Sequence, residues 1–129
     1  MTPHDPKICP FCRMDRKRII AENGSVYAIA DTTPVSRHHR LVIPFRHCET
    51  YFDLNPEELC DARELIGRLR REILDKDPAV SGFNIGVNCG ETAGQTVFHT
   101  HIHVIPRRRG DTPFPRGGVR GVIPDRMGY

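Results

Sequence analysis

Gly94-Gln95-Thr96-Val97-Phe98-His99-Thr100-His101-Ile102-His103-Val104-Ile105 holds three histidines at two-residue spacing, running into an apolar pair. Side chains on an extended strand alternate between faces. A strand over 97–105 therefore carries His99, His101 and His103 on one face and turns Phe98, Ile102 and Val104 toward a core. Three imidazoles in a row are a costly choice for packing alone. Each needs hydrogen-bond partners, and neighbouring imidazolium charges repel. The alternatives to a catalytic row are a solvated polar strand face and a zinc-binding histidine row.

Upstream, Gly82 to Asn88 alternates Phe83, Ile85 and Val87 against Asn84, Gly86 and Asn88, which reads as a further strand, with Gly90 to Gly94 as the loop into the histidine segment. Before it lies the clearest helix of the chain. Asn55 suits its N-cap, Pro56 its first position, and Glu58 completes a capping-box pattern. Leu59, Ala62, Leu65, Ile66, Leu69 and Ile73 share one face from Pro56 to about Leu74, and the helix ends near Asp75 to Pro78. Leu41-Val42-Ile43, stopped by Pro44, is a short strand. Asn23-Gly24 between Ile19–Glu22 and Ser25–Ala30 is a hairpin signal, since both turn residues tolerate positive φ. Strands flanking one long helix predict an α+β fold with a mainly antiparallel sheet.

The chain is 129 residues long, which predicts one domain over 1–129. Residues 107–129 form a basic tail rich in Gly and Pro, expected to lie as irregular structure over another surface. Its arginines (Arg107, Arg108, Arg109, Arg116 and Arg120) could reach distal phosphates of a larger substrate, stay solvated, or pack across a dimer partner. The formal net charge is +3, too small an excess to argue for nucleic-acid binding, though compatible with a small anionic substrate. The longest apolar runs, Leu41 to Pro44 and Val104 to Pro106, are too short to span a bilayer. Met1 to Lys7 lacks the apolar stretch of a secretory signal. Together with an odd count of five cysteines, this points to the cytoplasm, where thiols stay reduced.

Two groups of residues carry chemistry. A neutral imidazole attacks phosphorus well near neutral pH if one nitrogen is held by an acceptor, such as a backbone carbonyl, and the other faces the phosphate. Asn88, Gln95 and Thr96 are neutral donors suited to charge developing on phosphate oxygens. Asp31, taken alone, reads as an Asp capping a turn at a strand end. The second group is Cys9-Pro10-Phe11-Cys12, whose two thiolates can supply half of a tetrahedral zinc site. A redox pair and two unbound thiols are the other readings, and no thioredoxin-like strand-helix context surrounds the pair.

His99 to Ile105 fits the signature of the histidine-triad (HIT) superfamily, His-x-His-x-His followed by two apolar residues. The agreement takes in Val87-Asn88, Gly94-Gln95-Thr96, the Leu41–Pro44 block with His47, Asp31 and the Cys9–Cys12 pair, so the chain resembles that superfamily to about Pro106. The resemblance implies a HIT-like fold and a hydrolase or transferase acting on a nucleotide α-phosphate. Its nucleophile is His101, assisted by His103 and Thr96, and its substrate is held by Asp31, Asn88, Gln95 and His103. It also implies a structural Zn2+ on Cys9, Cys12, His47 and His99, a purine nucleotide as ligand, and a homodimer. His39, just before Leu41-Val42-Ile43, matches a family histidine that can orient a catalytic imidazole, while His38 and His39 read equally well as an exposed pair without a role. A His at position 103, where transferases tend to carry Gln, leans toward hydrolysis of a nucleoside phosphoramidate or dinucleoside polyphosphate. A nucleotidyl transferase and a zinc-bound nucleotide-binding module with little turnover are the alternatives.

Overall fold

The computed structural model describes residues 2–129. Its sheet has five strands, β1 (Ile19–Asn23), β2 (Val26–Ala30), β3 (Arg40–Pro44), β4 (Val80–Gly86) and β5 (Ile102–Arg108), in the spatial order β1-β2-β3-β5-β4. Every neighbouring pair is antiparallel. One long helix, α1 (Pro56–Lys76), lies against one face.

The β1–β2 hairpin turns at Gly24, whose φ of 55° is the left-handed region that glycine enters without strain. The helix grips this turn. Asp61 accepts from the Ser25 backbone N–H at 2.9 Å and from its hydroxyl at 2.7 Å. A β-carbon at Gly24 would run into the same carboxylate.

The α1 start follows its local code. Asn55 Oδ1 accepts from the Glu58 N–H at 2.8 Å, and Glu58 Oε1 accepts from the Asn55 N–H at 2.9 Å. The buried stripe is Glu58, Ala62, Leu65, Leu69 and Ile73. Leu59, expected inward, is instead exposed. One residue is about a 100° rotation on a helix, and the inward place in the first turn belongs to Glu58. That carboxylate is sealed against Arg46, with contacts of 2.7 and 3.1 Å. Arg46 also donates to the Asp53 carbonyl. A buried charge paired this closely can stand where an unpaired one could not, and the Arg46 hydrogen bond holds the Glu58 carboxyl below its ordinary range.

The sheet covers two layers. Toward α1, Val26, Ala28, Val42, Ile102 and Val104 pack on Ala62, Leu65 and Leu69. On the opposite face, Tyr27, Ile29, Leu41 and Ile43 pack under Phe11 and Met14 from the N-terminal segment. Ile102 and Val104 thus face the core as their alternation requires. The strand itself starts later than the alternation predicts, at Ile102 rather than Val97. Residues 95–101 make no ladder because their bonds go elsewhere. The Thr100 N–H and hydroxyl both donate to the Cys48 carbonyl, at 2.7 and 3.0 Å, and His99 is tied to Pro44. Only His103 of the three histidines lies on a strand. β4 is likewise shifted from 82–88 to Val80–Gly86, leaving Asn88 in the following loop.

The tail folds back as short 3-10 turns at Gly118–Val122 and Pro124–Arg126 and lies beside β4. Among the described residues, no helix is long and apolar enough to cross a membrane.

Candidate active site

β5 positions His103 on the sheet face away from α1, paired with Leu41 on β3 and Gly86 on β4. Gly86 has open space where a side chain would be, so the sheet is bare beside the His103 ring and a cleft begins there. His103 Nδ1 lies 2.9 Å from His39 Nε2. His39 is almost wholly buried, and its Nδ1 accepts from the Val35 backbone N–H at 3.0 Å. A backbone N–H can only donate, so His39 Nδ1 carries the lone pair and His39 Nε2 the hydrogen. That hydrogen faces His103 Nδ1, with the Asp31 carboxylate 3.4 Å from the same His39 nitrogen. His103 therefore keeps its own hydrogen on Nε2, ready to donate to an anion.

His101 is 9% exposed. Its Nδ1 donates to the His99 carbonyl at 2.8 Å, which leaves the Nε2 lone pair unclaimed by any described residue and in contact with solvent. Burial lowers the pKa of His101, against the opposing pull of that hydrogen bond and of Asp31. Burial also lowers His103, helped by the neighbouring His101 and His39. Both rings are thus neutral at neutral pH. The arrangement offers one uncharged nitrogen nucleophile and one uncharged N–H donor on adjacent rings, their centroids 5.3 Å apart.

Asp31 performs two tasks at once. Its Oδ1 caps a turn by accepting from the Thr33 N–H at 2.8 Å, while Oδ2 faces His39. It lines the same cleft as His39, Asn88 and His103. Thr96 is exposed. The Gln95 side chain is buried and fully engaged with backbone. It donates to the Glu49 and Val97 carbonyls and accepts from the Gly90 N–H. His38, at a left-handed φ of 72°, turns toward Arg40. His4 meets Glu49 at 2.6 Å and packs on Phe98.

Cys9, Cys12, His47 and His99 form a second cluster, their donor atoms all within 4.8 Å of one another. Cys9 Sγ and Cys12 Sγ lie 3.3 and 3.5 Å from His99 Nδ1, and Cys12 Sγ lies 3.1 Å from His47 Nδ1. For metal–sulfur bonds of about 2.3 Å and metal–nitrogen bonds of about 2.0 Å, the N–S edge of a tetrahedron is about 3.5 Å. The four side chains fit such an ion. His99 Nε2 donates to the Pro44 carbonyl at 2.7 Å, which turns the Nδ1 lone pair on the sulfurs and fixes the ring as outer partners do in metal sites. Burial drives the His99 pKa down to about 4, so its ring is neutral and able to ligate. His47 Nε2 is the one sealed side-chain polar atom without a partner among the described residues.

Phe11, between the two cysteines, has no signal in the sequence beyond its apolar character. Its ring meets His99 edge-on at 5.9 Å and His101 at 5.1 Å. Its carbonyl accepts from the buried Tyr27 hydroxyl at 2.6 Å. The Cys-Pro-Phe-Cys segment is thereby a wedge against both rings. The tail arginines are mostly committed. Arg107 is held by Asp111 and Asn84, Arg108 by Asp77, and Arg116 and Arg120 flank the Tyr129 ring.

A protein-family model described as "HIT domain" matches residues 13–110. An uncharacterized HIT-like protein of Mycobacterium tuberculosis is 41% identical over 107 residues, covering 80% of this chain and 74% of that protein. The adenylylsulfatase HINT3 of Arabidopsis thaliana is 35% identical over 107 residues, covering 80% of this chain and 54% of that protein. The crystal structure of a Zn-bound histidine triad family protein from Mycobacterium smegmatis superposes with a TM-score of 0.74 at 35% identity, covering 84% of this chain and 81% of that one.

Proposed function

This chain belongs to the HIT family, and on that premise we propose that it is a nucleotide hydrolase whose nucleophile is His101. The observation that carries the reading is the tied Nδ1–H of His101 with its free Nε2, beside a His103 whose Nε2–H is set by the Val35–His39 chain. In the first step the Nε2 lone pair bonds to the α-phosphorus and the bond to the leaving group breaks. The leaving group keeps that electron pair and takes a proton from solvent. The Nδ1–H stays on the His99 carbonyl, whose dipole meets the positive charge that forms on the ring. In the second step a water oxygen bonds to phosphorus, and the P–N pair returns to His101. The water proton goes to solvent, and a nucleoside monophosphate is released.

His103 is a hydrogen-bond donor to a phosphate oxygen in both steps, since its neutral ring has no spare proton to give. Asn88 and Thr96 add neutral donors, and Gln95 acts by holding the loop that carries Thr96. Asp31 accepts from the ribose. A related adenylylsulfatase and the His at position 103 both favour hydrolysis over transfer, and the proposed substrate is a purine nucleotide, either a phosphoramidate or a dinucleoside polyphosphate. Cys9, Cys12, His47 and His99 would hold a structural Zn2+, which when bound cross-links the N-terminal segment to the catalytic loop and offers no open position. A reduced compartment such as the cytoplasm suits these thiols, and a homodimer completes the proposal.

A panel of nucleoside phosphoramidates and dinucleoside polyphosphates, assayed for monophosphate release, tests the activity. A chiral phosphorothioate tests the route. Two in-line displacements give net retention at phosphorus, whereas net inversion would mean direct attack by water and would remove His101 from the nucleophile's place.

A further inference from the structure

His101 Nδ1 donates to the His99 carbonyl at 2.8 Å, and that one bond gives the ring its tautomer and its direction. What fixes the carbonyl therefore fixes the nucleophile. The sheet does not, since β5 begins only at Ile102. The carbonyl shares a planar trans peptide unit with the Thr100 N–H, so the two groups point in opposite directions and turn together. The N–H end of that unit donates to the Cys48 carbonyl at 2.7 Å. We propose that Thr100, gripping Cys48, is a positioning residue that locks this peptide plane and, through it, the tautomer of His101. The proposal rests on the reading that His101 is the nucleophile.

The side chains double the grip. The Thr100 hydroxyl also donates to the Cys48 carbonyl, at 3.0 Å, so both lone pairs of that oxygen are engaged. With its hydrogen on the carbonyl, Thr100 Oγ1 is left as an acceptor. Cys48 Sγ lies 3.7 Å from it, and the S–H is then the donor of that contact. The link is reciprocal, from hydroxyl to carbonyl and from thiol to hydroxyl. Thr100 and Cys48 are both buried, so bulk water does not replace a bond lost between them. The β-branch of threonine adds a stiff χ1, which holds the hydroxyl on its acceptor. A valine would fill the same space but would leave the second lone pair of the carbonyl empty.

The Cys48 end is a firm anchor. Before it, the Pro44 carbonyl accepts from His99 Nε2 at 2.7 Å. After it, the Glu49 carbonyl accepts from Gln95 Nε2 at 2.6 Å. Between them Arg46 is held by Glu58 at 2.7 Å, which ties this stretch to the first turn of α1. Gln95 and the His99 ring fix where the histidine segment runs. Thr100 alone, among the described residues, fastens the peptide unit whose carbonyl His101 uses. Rotating that unit breaks both of its end bonds at once. A His101 ring released from the carbonyl is free to carry its hydrogen on Nε2, and an Nε2–H has no lone pair for phosphorus.

The test uses the full-length, metal-loaded protein and reads two quantities, the rate of monophosphate release from a nucleoside phosphoramidate and the NMR signals of the histidine ring nitrogens. In the wild type, His101 should show a protonated Nδ1 and a bare Nε2. Thr100→Val should bring the two signals toward each other, as a mixture of tautomers does. It should also lower kcat roughly tenfold, as loss of an outer partner does, with KM held within about twofold and metal content per chain unchanged. Thr100→Ala, which also lacks the hydroxyl, should show the same changes. Thr100→Ser keeps the hydroxyl and should restore most of the rate and the separated signals. Cys48→Ala removes only the thiol donor and should cost less than Thr100→Val. Unshifted His101 signals in both Thr100→Val and Thr100→Ala overturn the proposal. An equal loss in Thr100→Ser does so too, since packing rather than the hydroxyl would then matter, as does a loss of rate that tracks loss of metal. If the wild type releases no monophosphate, or His101→Asn keeps its rate, the hydrolase reading fails, while the ring-nitrogen signals still judge the Thr100 lock.

Discussion

His99 and His101 stand two residues apart, are both buried, and are both kept neutral by that burial. Each also has one ring nitrogen on a backbone carbonyl. They differ in which nitrogen is tied. His99 gives Nε2 to Pro44 and turns Nδ1 onto two sulfurs. His101 gives Nδ1 to the His99 carbonyl and leaves Nε2 to solvent. On the proposed reading the same side chain serves as a ligand in one place and a nucleophile in the other, and what separates them is which ring nitrogen a neighbour's carbonyl ties rather than residue type or accessibility.

The comparison is broken most severely by removing each ring in turn. His101→Asn should lower kcat by roughly 10^3-fold or more, as loss of a nucleophile does, while the protein stays folded and still binds nucleoside monophosphate. Single-turnover kinetics with calorimetric binding checks this. Near-normal turnover would show that His101 is not the bond-forming group.

His99→Asn should behave in the opposite sense, with stability falling by several kcal/mol through loss of the metal cluster, and with far less effect per folded molecule on the chemical step. Metal content and denaturant unfolding with and without a chelator report it. The pH dependence has a definite sign. In the metal-free protein the folded-state pKa of about 4 lies below the unfolded value of about 6.5. The unfolded chain therefore binds the proton first, and this contribution is full above about 6.5 and is lost as pH falls toward 4. A protein whose stability is flat across that window would remove His99 from the sealed site.

A smaller effect follows from the chain that sets His103. His39→Phe deletes the donor to His103 Nδ1, frees the ring to adopt the other tautomer, and should cost roughly 10–100-fold in kcat, as loss of an outer partner does. His39→Gln can still donate and should recover part of that loss. If both variants match the wild type, the Val35–His39–His103 order does not govern the reaction.

The smallest effect lies in the pH profile. Because burial lowers the His101 pKa, the acid limb of kcat should fall below the ordinary histidine value of about 6.5. Asp31 opposes that shift by favouring the charged ring. Asp31→Asn should therefore move the limb to still lower pH. A limb that moves upward would contradict the electrostatic role of Asp31.

Much of the fold was legible because local codes and burial agree. The Asn55–Glu58 box and the Leu65–Leu69–Ile73 stripe each had one low-energy reading, whereas the hairpin turns one residue later than the Asn23-Gly24 pair suggests, at Gly24-Ser25, with Asn23 still paired to Val26 on the strand. Leu59 was misread because a capping residue, Glu58, takes the inward position with Arg46, and periodicity counts apolar residues without seeing a paired charge. The strand expected at 97–105 starts five residues late because Thr100 and His99 bond to the 44–48 loop, a contact that alternation does not encode. The pairing of Cys9 and Cys12 with His47 and His99 came from resemblance, and their convergence is plain only in three dimensions. Phe11 was illegible for a different reason, since it acts where distant segments meet and an isolated aromatic carries no periodic signal.

The contact between Cys9 and His99 spans a sequence separation of 90, with His47 between them in the chain. No local event can assemble that cluster. It exists only after the first residues have crossed the outer face of the sheet and the final strand has found its place between β3 and β4. Loop closure of that length is an entropic cost met late in folding. With Co2+ in place of Zn2+, a thiolate-to-metal absorbance band followed after dilution from denaturant would then be a clock for completion, and it should rise after the helix signal has already returned.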